Sequence, residues 1–180
     1  KNNTFSKNTD GSIYVTEGYS ENISVNIEGN KIDSGSNYHG EIGVTNFHQD
    51  AEVFIRNNTI DKRGNAIHVY GNNGGAPQVL GNTIGGSEGT GITVYGKAAP
   101  IIKNNTVEDK QNGIRVEYSD ANGDGSSTIT GNVIKGNTGY GIRVENYAKP
   151  VISLNDIERD SGYAIENQTT FTVDAMNNWW

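Results

Sequence analysis

The chain has 180 residues, only 33% of them apolar, with a formal net charge of −7 and a mean hydropathy of −0.63. The acidity excludes a nucleic-acid or anionic-lipid partner, which needs clustered Lys and Arg. No apolar run approaches the roughly 20 residues that span a bilayer, so membrane insertion is not expected. Without cysteine there is neither a disulfide nor a thiolate metal site.

The length suits one domain, 1–180. The chain opens in mid-pattern at Lys1-Asn2-Asn3-Thr4-Phe5, which reads as a domain trimmed from a larger protein. Asn3 begins a column that continues at Asn30, Asn58, Asn82, Asn105, Asn132, Asn155 and Asn178, at spacings of 23 to 28 residues. Two residues after each comes Phe5, Ile32, Ile60, Ile84, Val107, Ile134, Ile157 or Trp180. Three residues before each from Asn30 on comes Ile27, Ile55, Val79, Ile102, Ile129, Ile152 or Ala175. Between these lie the pairs Ile13/Val15, Ile42/Val44, Ile67/Val69, Ile92/Val94, Ile114/Val116 and Ile142/Val144.

A period of this length marks a solenoid, and apolar spacing of two within each unit marks strands. Each unit reads as a coil of three short strands: Gly-Ile-x-Val, the strand before the Asn, and Asn-x-Ile. Ile and Val point inward and stack at about 4.8 Å per coil. The expected fold is therefore all-β: a parallel β-helix of about seven coils, a rod on the order of 30 Å long. The Asn is expected at the corner between the second and third strands, taking left-handed backbone angles at low cost. Its amide would bond to the Asn of the next coil, forming a ladder. A leucine-rich repeat is excluded, because only Leu80 and Leu154 are present. Trp180 falls in the Ile column and is expected to plug the core. Trp179 falls in the outward column. Exposed strand edges at both ends should meet flanking domains or another copy.

The Gly-Asn-x-Ile units (Gly29 to Ile32, Gly81 to Ile84, Gly131 to Ile134), the Gly-Ile-x-Val units and the closing Asn177-Asn178-Trp179-Trp180 carry a resemblance. The chain resembles the pectate-lyase-like superfamily of right-handed parallel β-helices, and more closely the repeats of secreted and cell-surface proteins. The resemblance covers the whole chain. It implies a secreted or cell-surface location, and it places substrate groups on the Gly-Ile-x-Val sheet and the loops after it. The fold hosts lyases, hydrolases, epimerases, adhesins and stalks, so function must be argued from side chains.

On that sheet one outward column holds Tyr14, Gly43, His68, Thr93, Arg115, Arg143 and Glu166. The other holds Thr16, Thr45, Tyr70, Tyr95, Glu117, Glu145 and Gln168. Tyr70 and Tyr95 beside His68 offer aromatic surface for sugar rings, or else a stack that only stabilises the sheet. Arg115 over Arg143 and Glu117 over Glu145 place like charges on neighbouring strands, which is destabilising unless the columns neutralise each other or a ligand intervenes. They read as a carbohydrate-binding patch or a surface charge lattice. Asp120-Ala121-Asn122-Gly123-Asp124-Gly125 matches the start of a calcium loop, with Asp120, Asn122 and Asp124 as ligands. Position twelve is Gly131 rather than Glu, so a further carboxylate would come from Glu117 or Glu145. The plain alternative is a polar turn.

The expected function is therefore an extracellular β-helix binding polysaccharide, with calcium as the cofactor to test. The alternative is a structural spacer or adhesin stalk. The reading leans away from catalysis. If the chain were an enzyme, the resemblance implies a calcium-dependent polysaccharide lyase, with Arg as base. The motif spellings associated with pectate lyases, polygalacturonases and alginate epimerases are missing, including any Asp-Asp pair.

Overall fold

The computed structural model describes residues 1–6, 11–16, 23–33, 40–45, 47–61, 63–71, 74–119, 121, 126–158 and 162–180. Among the described residues, twenty short strands form three parallel sheets. Sheet A holds β1 (Thr4–Ser6), β4 (Lys31–Asp33), β7 (Thr59–Asp61), β10 (Thr83–Gly85), β13 (Thr106–Glu108), β16 (Val133–Lys135) and β19 (Asp156–Ile157). Sheet B holds β2 (Ile13–Thr16), β5 (Ile42–Thr45), β8 (Ile67–Gly71), β11 (Thr90–Gly96), β14 (Asn112–Tyr118), β17 (Tyr140–Asn146) and β20 (Ile165–Asn167). Sheet C holds β3 (Ser24–Glu28), β6 (Glu52–Arg56), β9 (Gln78–Leu80), β12 (Ile101–Lys103), β15 (Thr128–Thr130) and β18 (Val151–Ser153). Each strand pairs with its equivalents one coil away, so the chain is a parallel β-solenoid. Among the described residues no helix is long and apolar enough to cross a membrane.

The apolar columns stack in the register read from the sequence. Ile32 pairs with Ile60, Ile55 with Val79, and Ile92 with Ile114. Most column members in the middle coils have no exposed surface. Gly in the Gly-Ile-x-Val unit has a packing reason: a Cβ at Gly113 would lie 2.7 Å from Ile134 Cγ2, where sheet A meets sheet B. Phe47 closes the turn between sheets B and C, its ring filling the space a Cβ would need at Gly75.

The Asn column is a continuous ladder. Each Oδ1 accepts two hydrogen bonds from the preceding Asn, one from its backbone N–H and one from its Nδ2. For Asn82 onto Asn105 both are 2.9 Å. The pattern runs unbroken from Asn3 to Asn178. From Asn58 on, each Nδ2 also donates to the coil before it, as Asn105 does to Val79 O at 2.9 Å. The buried amides are thus satisfied, which a low-dielectric interior demands.

Two expectations are corrected. The left-handed residue is the one before each ladder Asn: Asn2, Gly29, Asn57, Gly81, Asn104, Gly131, Leu154 and Asn177, with φ between 54° and 66°. The ladder Asn must keep its own N–H aimed along the rod, so the corner is turned one residue earlier. This explains the alternation of Asn-Asn with Gly-Asn. A Cβ at Gly81 would lie 2.8 Å from Asn57 Oδ1, and one at Gly131 only 2.6 Å from Asn104 Oδ1. The Asn of one coil therefore lies over the Gly of the next. Trp180 does not plug the core; it is 67% exposed, because no described strand stacks on its far side.

Replacing Asn105 with Leu would strand the Asn82 N–H and Nδ2 donors and the Val79 carbonyl. At roughly 1–3 kcal/mol for each stranded buried group, partly relieved by relaxation, the expected loss is about 3–5 kcal/mol. Urea unfolding measures it. Asn178→Leu, at a half-buried position, should cost less than half as much.

Candidate functional site

Sheet B carries the candidate residues on a face built by strand alternation. Register places His68 between Gly43 and Thr93, and Thr93 beside Arg115. It pairs Arg115 with Arg143, Glu117 with Glu145, and Arg143 with Glu166. The face divides into an aromatic half in the earlier coils and a charged half in the later ones.

In the aromatic half, the Tyr14 ring lies across Gly43, and its hydroxyl stands 3.2 Å from Thr45 Oγ1. Tyr70 and Tyr95 stack with centroids 5.3 Å apart and planes 24° apart. Tyr70 also covers Gly96, where a Cβ would lie 3.0 Å from Tyr70 Cε2. The two rings therefore spend one face on each other, while Tyr95 keeps 38% of its surface exposed.

The charged half largely closes on itself, Arg143 Nε and Glu166 Oε2 alone in it being buried without a hydrogen-bond partner among the described residues. Arg115 donates from Nε to Glu145 Oε2 at 2.6 Å and from Nη2 to Glu117 Oε2 at 2.7 Å. Arg143 donates from Nη2 to Gln168 Oε1 at 2.7 Å, and its guanidinium carbon sits 4.8 Å from the Tyr140 ring centroid. Its Nε stands 2.5 Å from Glu145 Oε1 and 3.5 Å from Glu166 Oε2, ion-pair distances without hydrogen-bond alignment. Asn146 Nδ2 donates to Glu117 Oε1 at 2.8 Å. The like-charge cost of stacking Arg on Arg and Glu on Glu is offset by these diagonal bonds. Two guanidiniums face three carboxylates, a local balance of −1.

Both oxygens of Glu117 and of Glu145 are engaged, so a cation drawing on either would compete with Arg115, Arg143 or Asn146. Asp120, Asn122 and Asp124 lie outside the described residues. Among the described residues, no group of three His, Cys, Asp or Glu side chains could hold a metal. The contributions of Tyr140 and Asn146 were not read from sequence. The signal was present in the equivalent ends of β14 and β17, where Asn112 pairs with Tyr140 and Tyr118 with Asn146.

Also unread was a short second ladder at the turn from sheet A to sheet B. Lys110 N–H donates to Asn137 Oδ1 at 3.2 Å, and the buried Lys110 Nζ reaches Gly64 O at 2.6 Å. Lys110 and Asn137 each sit three residues after a core member, Val107 and Ile134, a spacing that could have revealed them.

Glu145→Ala would leave Arg115 and Arg143 adjacent without the carboxylate between them. The expected destabilisation is about 1.5–3 kcal/mol, the range for hydrogen bonds to charged groups. Part of it should return in about 1 M NaCl, where the Debye length falls to about 3 Å. Urea midpoints at low and high salt check both statements.

Comparison with known proteins agrees with the fold. No curated protein and no solved structure matches the chain. The family model described as "Right handed beta helix region" matches residues 65–179, more than half of the sequence. The strands before residue 65 pair in the same register as those after it, and the chain belongs to the right-handed β-helix region family.

Proposed function

We propose that this chain is a non-catalytic, secreted or cell-surface β-helix module that binds polysaccharide along the outward face of sheet B. The observation that carries the reading is the register of β11 against β14, which sets the Tyr70–Tyr95 stack one strand away from the Arg115–Glu117 ion pair. An exposed aromatic ring and a guanidinium–carboxylate pair thus stand on neighbouring strands of one sheet face. Aromatic surface takes the C–H face of a sugar, and charged donors and acceptors take its hydroxyls. The coil rise of about 4.8 Å repeats the face at close to the length of one linked pyranose. The non-catalytic part of the reading is supported by the bonds that Arg115 makes to both Glu117 and Glu145. Calcium at Asp120, Asn122 and Asp124 would add an anchor for acidic glycans, which the net charge of −7 otherwise repels.

A second reading, a rigid spacer or adhesin stalk, is favoured by the bonds among Arg115, Glu117, Glu145 and Asn146, which close without a ligand.

Affinity electrophoresis through neutral and acidic polysaccharides, with calcium or with chelator, separates the two. Binding predicts retardation in at least one gel, weakened in Tyr95→Ala and Arg115→Ala. Retardation that needs calcium and disappears in Asp124→Ala would establish the metal. Unchanged mobility in every gel favours the spacer.

A further inference from the structure

The turn from sheet C to sheet A holds an open cavity of about 420 Å³, lined by Gly131, Asn132, Val133, Leu154, Asp156 and Trp179. Its size falls within the range of small-ligand sites, about 300–1,000 Å³. It lies off sheet B and shares no residue with the face described above.

Two independent features set this corner apart from the equivalent corners of other coils. The first is Trp179, which bridges to Asp156 and so extends the outward column of sheet A. Elsewhere that column carries Lys31, Thr59, Thr83, Thr106 and Val133. At position 179 it carries an indole that is 61% exposed. The second is Leu154. Of the eight residues in the left-handed column, it alone is neither Asn nor Gly, at φ 58°. A leucine pays for that conformation, and this one is 54% exposed, so no core burial offsets the strain. Residues that break a local rule without a folding gain cluster at functional sites, and this one stands on the wall of a cavity.

The chemistry of the lining selects the ligand class. Leu154, Val133 and Trp179 supply apolar surface, and the indole is the larger part of it. Asp156 is exposed and supplies a carboxylate acceptor for hydroxyl donors. Asn132 is spent in the ladder. Apolar surface beside a single carboxylate fits the C–H face and hydroxyls of a neutral pyranose, and it repels a uronate. We propose that the Trp179–Leu154–Asp156 cavity is a binding subsite for a neutral sugar residue, separate from sheet B.

Isothermal titration with neutral hexaoses (cello-, manno- and xylo-) and with oligogalacturonate tests this on the 180-residue chain. At least one neutral hexaose should bind saturably and more tightly than oligogalacturonate. Affinity should fall about tenfold or more in Trp179→Ala, about threefold in Asp156→Asn, and not at all in Trp180→Ala. Leu154→Gly should melt at a higher temperature than the parent yet bind more weakly, a split that a purely structural leucine would not produce. Repeated in a Tyr95→Ala, Arg115→Ala background, which weakens any site on sheet B, the titration should keep its Trp179-dependent component, so failure of the sheet B reading and failure of this one are distinguishable. Equal affinity in Trp179→Ala, equal or tighter binding of oligogalacturonate, or no neutral hexaose bound would overturn the proposal.

Discussion

The asparagine ladder is the constraint on which the rest of the structure depends. Each amide accepts twice from the coil before it and donates to the coil after it, so one side chain fixes the position of two coils. A buried amide cannot slip by one residue without stranding its partners. The ladder therefore sets the register of sheets A and C directly. Sheet B follows because its strands are tied to the same coils. Variation in coil length, from 23 to 28 residues between ladder positions, must be absorbed in the turns. A polar composition with only 33% apolar residues can hold this fold because a thin column of Ile and Val and one row of amides are repeated, with no thick core required.

Strict register has a consequence at the surface. Any residue type that recurs in an outward column meets its own kind at the sheet spacing. For threonine or tyrosine this is harmless or favourable, as in the Tyr70–Tyr95 stack. For Arg115 over Arg143 and Glu117 over Glu145 it is costly, and the remedy is the diagonal pairing of one column with the other. The charged half of sheet B is thus the surface form of the same constraint. Binding there would require a ligand that adds to the existing bonds more than it displaces. The cavity at Trp179 stands outside this logic, since it arises where the repeat departs from its own pattern.

Much of the fold was legible in the sequence because a solenoid writes its contacts as columns. Ile32 over Ile60, Ile92 over Ile114 and Arg115 over Arg143 all follow from counting. Features that depend on backbone angle or side-chain direction were less accessible. The left-handed turn at Asn57 or Gly81, rather than at the ladder Asn, depends on where each N–H must point. Lys110 hid because a lysine at a turn reads as solvated, whereas its stem runs inside the corner to Gly64. Periodicity also misled once, since Trp180 occupies an Ile column position yet is exposed. On the candidate face, the columns were legible and the bonds within them were not. Whether Arg115 reaches Glu117 or Glu145 is decided by rotamers; here it reaches both.

The central claim is that the ladder amides hold the coils together. Native-state amide hydrogen exchange tests it directly, because the backbone N–H of Asn58, Asn82, Asn105 and Asn132 is donated to a side chain one coil away. The account predicts that these four amides exchange as slowly as those of Ile92 and Ile114 in the core strands, opening only with global unfolding. Exchange at the faster rate of surface turn amides such as Gly86 would show that the Ile and Val columns hold the rod without the ladder, and would contradict the account.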